Sequence, residues 1–404
     1  MELSTRAIEI QESPIRKLAP FADEAKAKGI HVYHLNIGQP DIETPIEIMN
    51  VYKHFDEKVL CYGPSQGLLK YRQSLVRYYN KHRIPIKTED MIVTTAGSEA
   101  IIFALLATCN AGEEVIVPEP FYTNYNGFAS IADVHIKPLT TYAEEGFALP
   151  SNEKIIECIT DRTKAILFSN PGNPTGAVYL KNDLERLADI AMKYDLYLIS
   201  DEVYREFVYD GLSHTSILHI NGIEDRAIMV DSISKRYSAC GARIGCIISR
   251  NQVLMQAILK FAQARLCPPT IDQLAANAAV DIEEAYFIDV LQEYEKRRNI
   301  VYNEIKQIEG VVCIKPEGAF YIIVKLPIDD AEDFAKWMLK DFSDNNETVM
   351  FAPAEGFYAT PSLGRNEVRL AYILNEQALK RAMFLFRKGL KEYMGKRIFE
   401  EISG

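Results

Sequence analysis

The run Asp231-Ser232-Ile233-Ser234-Lys235-Arg236 closes an apolar stretch with two hydroxyls and an amine, and Gly241, Arg243 and Gly245 follow before the next apolar stretch. An amine at the carboxyl end of a strand lies where open α/β sheets put their ligands. There it can attack a carbonyl carbon and carry a proton. Taken alone, a Ser-x-Ser-Lys string reads as a surface loop with two exposed cations.

Its company shifts that reading. Asn170-Pro171-Gly172-Asn173-Pro174-Thr175-Gly176 follows an apolar run directly, and its Asn-Pro steps and glycines make an extended turn whose amide side chains, Asn170 and Asn173, can point into a site. Asp201 closes the apolar run Leu196 to Ser200, with Tyr204 just beyond. A carboxylate at the end of a buried strand needs a partner, because burying it unpaired is costly; a helix N-cap is the alternative role. In Thr94-Thr95-Ala96-Gly97-Ser98-Glu99, a strand passes into a helix whose first amides are free to bind an anion.

Elements that would position these groups follow from periodicity. Short apolar runs alternate with helical patterns from about Met91, the mark of βαβ units. Strands are expected at Met91–Thr95, Glu114–Pro118, Val134–Pro138, Lys164–Ser169, Leu196–Asp201, Ala227–Ser232 and Ile244–Ser249. The helix from Gly97 to Cys109 is apolar almost all round and should be buried on most sides. After about Ala285 come a charged helix through Glu293–Arg298, strands near Ala319–Lys325, Thr348–Ala352 and Glu367–Ala371, and a last helix capped by Asn375 with Leu379, Met383, Phe386 and Leu390 on one stripe. The expected fold is α/β: a mostly parallel seven-stranded sheet sandwiched by helices in residues 46–285, and a smaller α+β domain from residues 1–45 and 286–404.

A chain of 404 residues holds a large core. Its net charge of −11, with basic residues scattered, argues against nucleic acid or an anionic membrane as partner. Seven dispersed cysteines without a C-x-x-C pair suggest reduced thiols, not zinc or disulfides. No apolar run approaches the roughly 20 residues of a membrane span, and no secretory signal opens the chain, so a cytoplasmic location is expected. Phosphate-loop and dinucleotide glycine motifs are missing.

Together these motifs resemble, in order and over nearly the whole length, the class I aminotransferases of fold type I, which use pyridoxal 5'-phosphate (PLP). The resemblance implies that Lys235 condenses with the cofactor aldehyde and later shuttles the substrate proton. It implies that Asp201 pairs with the ring nitrogen, that Asn173 and Tyr204 bond the phenolic oxygen, and that Tyr122 stacks on the ring. Arg243, Ser232, Ser234 and the amides of Gly97 and Ser98 would hold the phosphate, joined by Tyr62 from a second subunit, so a homodimer with shared sites is implied. Arg369 and Gly38, with Asn173, would meet the substrate α-carboxylate. Substrates would be a small L-amino acid, aspartate-like, and a 2-oxo acid such as 2-oxoglutarate. No motif supplies a clamp for a second carboxylate, and Glu99 stands where some members carry lysine. β-Elimination on the same scaffold is the alternative chemistry. A sensor domain of a transcription regulator is a weaker one, since too few residues precede the first landmarks for a DNA-binding domain.

Overall fold

The computed structural model describes residues 2–403. Seven strands form one sheet: β1 (Met91–Thr94), β2 (Glu114–Glu119), β3 (His135–Thr140), β4 (Thr163–Ser169), β5 (Tyr197–Asp201), β6 (Ala227–Ser232) and β7 (Gly245–Ile248). Their spatial order is β1-β7-β6-β5-β4-β2-β3. Only β7 runs against its neighbours β1 and β6; the pairs from β6 to β3 are parallel. All seven expected strands are present, with ends moved by one or two residues. Strands β1, β5, β6 and β7 are buried along their whole length or nearly so, as expected where both faces are covered by helices.

The helix after β1, α1 (Ala96–Thr108), lies against β6 and β7. Ile101, Phe103 and Leu105 are buried, whereas Leu106 is exposed, so the apolar surface is covered on most sides but not all. Each such buried side chain stabilises by about 1.5–3 kcal/mol. The close approach at the helix start depends on Gly245. A Cβ there would overlap the backbone of Ala96, Gly97 and Asp231, so any larger residue would push α1 off the sheet.

A second core gathers around an antiparallel sheet made of β8 (Tyr321–Lys325), β10 (Ala352–Pro353) and β11 (Glu367–Ala371), with β11 in the middle. The single strand expected near Thr348–Ala352 is in fact two. Its first part, β9 (Glu347–Met350), pairs in parallel with His31–His34, and β10 pairs with β11 instead. The chain switches sheets at the buried Phe351. Helix α2 (Asn124–Ala132) packs on α1. The long helix α3 (Glu284–Ile305) carries Tyr286 and Phe287 against the first core and Tyr294, Val301 and Ile305 in the second. Asn375 caps the last helix, α4 (Glu376–Ser403), by accepting from the Ala378 amide at 3.0 Å, and Leu379, Met383, Phe386 and Leu390 are buried. Among the described residues, no helix is long and apolar enough to cross a membrane.

Candidate active site

Strands β4, β5 and β6 lie side by side, and the carboxyl ends of β5 and β6, with Asn173 from the loop after β4, line a cavity of about 490 Å³. Lining it are Gly38, Gly97, Ser98, Tyr122, Asn173, Asp201, Tyr204, Ser232, Ser234, Lys235, Arg243 and Arg369. Of the residues singled out from the sequence, only Tyr62 lies elsewhere, 82% exposed on a loop with Val59 and Leu60.

Asp201 is the last residue of β5 and is buried. The Tyr125 hydroxyl donates to it at 2.8 Å and the Val203 amide at 3.3 Å. Burial is the main influence on this carboxyl and pushes its pKa up to about 6. No ion pair to Asp201 is formed among the described residues. A buried acid in this state suits a cationic ring nitrogen arriving with a ligand.

Lys235 follows β6 on a single helical turn, and its Nζ donates to the Gly38 carbonyl at 2.7 Å and approaches Cys240 Sγ at 3.6 Å. Ser232 and Ser234 place their hydroxyls 2.9 Å apart, and Ser232 Oγ also donates to the Ile244 carbonyl at 2.9 Å. Beside them are the first-turn amides of α1, which have no intrahelical acceptor, and the exposed Arg243. Two hydroxyls, free amides and a guanidinium make an anion cup of the right composition for a phosphate.

Arg369 sits within β11 and is 1% exposed. It donates to the Asn173 side chain at 3.2 Å and to the Asn36 carbonyl, and its guanidinium lies 4.5 Å from the Tyr321 ring centre and 4.9 Å from that of Phe357. Its Nε has no hydrogen-bond partner although it is buried. Leaving such a donor unsatisfied is expensive, so the site is incomplete without an acceptor. Tyr122 lines the wall, edge-on to Tyr125 at 5.6 Å.

Glu99, where a lysine clamp was considered, accepts from the Thr95 amide at 2.8 Å and pairs with Arg265 at 3.2 Å. It is not among the cavity-lining residues, and Ser98 is. Sequence reasoning missed Tyr125, Tyr321 and the N-terminal residues Ser13, Ile15 and Arg16, which also reach the site. Tyr125 lies three residues after Tyr122, in the first turn of α2, and nothing in the sequence marks it as a partner of Asp201. The rim residues offered no signal.

Behind the cavity, the neighbours of three site residues point the other way. Glu202 accepts from Ser216 Oγ at 2.9 Å and the Ile217 amide at 2.8 Å, and Asp231 accepts from Tyr79 at 2.6 Å. Arg236 bonds Asp231, pairs with Glu206 at 3.5 Å and lies 4.2 Å from the Tyr78 ring centre. Burial above all pushes Glu202 and Glu206 each up to about 7.

Comparison with known proteins agrees with this geometry. The family "Aminotransferase class I and II" matches residues 30–383. Aromatic-amino-acid aminotransferase 2 of Thermococcus litoralis is 32% identical over 97% of this chain and 99% of that protein. An alanine aminotransferase from Pyrococcus furiosus superposes with a TM-score of 0.88 at 33% identity, covering 97% of this chain and all of that one. A Thermus thermophilus aspartate aminotransferase mutant gives a TM-score of 0.88 at 28% identity, over 96% of this chain and all of that one.

Proposed function

Because the chain belongs to the class I and II aminotransferase family and is an aminotransferase, we propose that it uses PLP, held by Lys235, to move an amino group from a small, aspartate-like L-amino acid to a 2-oxo acid such as 2-oxoglutarate. The observation that carries this reading is the convergence on one cavity of an amine, a buried acid lacking a cation and an arginine with an orphaned donor. The cofactor, when bound, supplies an aldehyde that condenses with amines and a ring that accepts the electron pair left when a Cα–H bond breaks.

The protein's own groups do the rest. Asp201, ionised by a cationic partner, would keep the ring nitrogen protonated. Asn173 and Tyr204 would bond the phenolic oxygen, and Tyr122 would stack on the ring. Ser232, Ser234, Arg243 and the amides of Gly97 and Ser98 would anchor the phosphate. Arg369, through Nε and a second nitrogen, grips the substrate α-carboxylate beside Gly38 and so fixes which bond at Cα faces Lys235. Lys235 Nζ, beside the Gly38 carbonyl, would be the group that takes and returns the substrate's Cα proton.

Arg16 supports a dicarboxylic substrate: it lines the cavity, is exposed, and among the described residues makes no side-chain hydrogen bond or ion pair. The relatives named for aspartate, aromatic amino acids and alanine leave the donor to be measured. We assign residues 46–285 to a cofactor-holding domain and the remainder to a smaller one. We place Tyr62 and its apolar neighbours in a homodimer contact, where Tyr62 would reach the partner's phosphate.

The test is to soak the purified protein in PLP, reduce with borohydride and map the label. The reading expects the label on Lys235 and a visible spectrum that changes on adding aspartate. A label elsewhere, or no visible absorbance, overturns it. A panel of amino donors scored by the same spectral change ranks the substrates.

A further inference from the structure

Tyr321 is the first residue of β8, buried, and absent from the roles assigned above. Its hydroxyl lies 2.8 Å from that of Tyr204. Burial above all holds the Tyr204 hydroxyl far above its ordinary pKa, so Tyr204 keeps its proton, and either hydroxyl can be the donor in their bond. A phenol has one proton to give and lone pairs to accept with. If Tyr204 spends that proton on the cofactor's phenolic oxygen, its own oxygen must accept, and Tyr321 is the donor in place. The donors then run in one direction, from Tyr321 to Tyr204 to the ring oxygen, and each bond polarises the next.

The Tyr321 ring is held for this purpose. The Arg369 guanidinium covers one face at 4.5 Å, and the Tyr204 and Phe320 rings flank it at 5.6 and 5.1 Å. Its hydroxyl end occupies the space that a side chain on Gly38 would fill: a Cβ there would overlap the hydroxyl oxygen and the two nearest ring carbons. Gly38 does not have a left-handed φ. Its glycine is therefore a matter of room and not of backbone freedom.

We infer that Tyr321 is a positioning residue that donates to Tyr204 and thereby strengthens Tyr204's hydrogen bond to the cofactor's phenolic oxygen, and that Gly38 is bare so that Tyr321 can reach. This inference rests on the PLP reading of the site. A stronger donor on the phenolic oxygen stabilises its negative charge once the neighbouring nitrogen has lost its proton. It therefore lowers the pH at which the bound chromophore deprotonates.

The experiment titrates the visible absorbance of the PLP-loaded protein against pH in wild type, Tyr321→Phe, Gly38→Ala, Tyr204→Phe and the Tyr204→Phe/Tyr321→Phe double variant. Tyr321→Phe should raise the midpoint by about one pH unit, the scale of one neutral hydrogen bond. Gly38→Ala should raise it in the same direction by crowding the hydroxyl away. In the Tyr204→Phe background, Tyr321→Phe should add nothing, because its route to the chromophore is gone. An unchanged midpoint in Tyr321→Phe, or an equal rise with and without Tyr204, overturns the inference. Failure of the wild type to take a borohydride label at Lys235 overturns the PLP reading itself and is told apart by that step.

Discussion

The two sides of the β5–β6 edge are built from adjacent residues and do opposite things. Asp201, Ser232 and Lys235 face the cavity, while their chain neighbours Glu202, Asp231 and Arg236 face the packed interior behind it. Strand alternation sends 201 and 202, and 231 and 232, to opposite faces, and one helical step separates 235 from 236. Behind the sheet each charge has an opposite charge in reach: Asp231 has Arg236 as well as Tyr79, Arg236 also has Glu206, and Glu202 has Arg205 at 4.0 Å besides Ser216 and the Ile217 amide, although Glu202 Oε2 and Arg236 Nε themselves make no hydrogen bond among the described residues. Toward the cavity the charges are left short, with Asp201 lacking a cation and Arg369 lacking an acceptor for Nε. Charges that face other charges hold the edge still, and those that face the cavity are left for a ligand.

That contrast is open to direct attack. Lys235→Ala should lower turnover by more than about 10⁴-fold with little loss of stability, since Nζ bonds only the Gly38 carbonyl and a cysteine sulfur. Assay against thermal denaturation reads both, and a large fall in melting temperature would blur the division. Arg236→Met should do the reverse, costing about 3–5 kcal/mol in urea unfolding because Asp231 and Glu206 are left unpaired in the interior. A cost below 1 kcal/mol would mean the rear network is incidental.

Smaller effects sharpen the cavity side. Arg369→Lys should raise KM for the amino donor about a hundredfold, because a lysine cannot offer Nε and a terminal nitrogen to one carboxylate. Equal loss for a substrate lacking the α-carboxylate would remove that role. For Asp201 in the cofactor-free protein, the folded pKa of about 6 lies above the ordinary carboxylate value. Its bound proton therefore contributes stability that is complete below about pH 4 and is lost as pH rises through about 6. Asp201→Asn should flatten this slope, gaining about 2 kcal/mol over wild type between those limits. Parallel pH curves for the two proteins would show that Asp201 is not buried as described.

Much of this was readable from the chain alone. The large sheet was legible because Met91–Thr94 or Ala227–Ser232 is an apolar run bounded by turn signals, and Asp201 and Lys235 because charges rarely end such runs. The strand His31–His34 was not, since His-Val-Tyr-His has no apolar run and its partner lies more than three hundred residues away in sequence. Tyr321 falls inside the expected strand Ala319–Lys325, and nothing local says that its hydroxyl meets Tyr204. Tyr62 lies outside the cavity and 82% exposed, and nothing in its local sequence says so.

The pairing of Leu35 with both Met350 and Ala371 has a consequence for how the molecule comes into being. A ribosome releases the amino end first, so the loop bearing Gly38 must wait for the strands that flank it until almost the last of the chain has emerged. Lys235 and Asp201 are by then long since made, but Arg369 arrives together with the strands that fix Gly38. A nascent or truncated chain could therefore carry Lys235 and Asp201 while Arg369 and the strands that fix Gly38 are still missing.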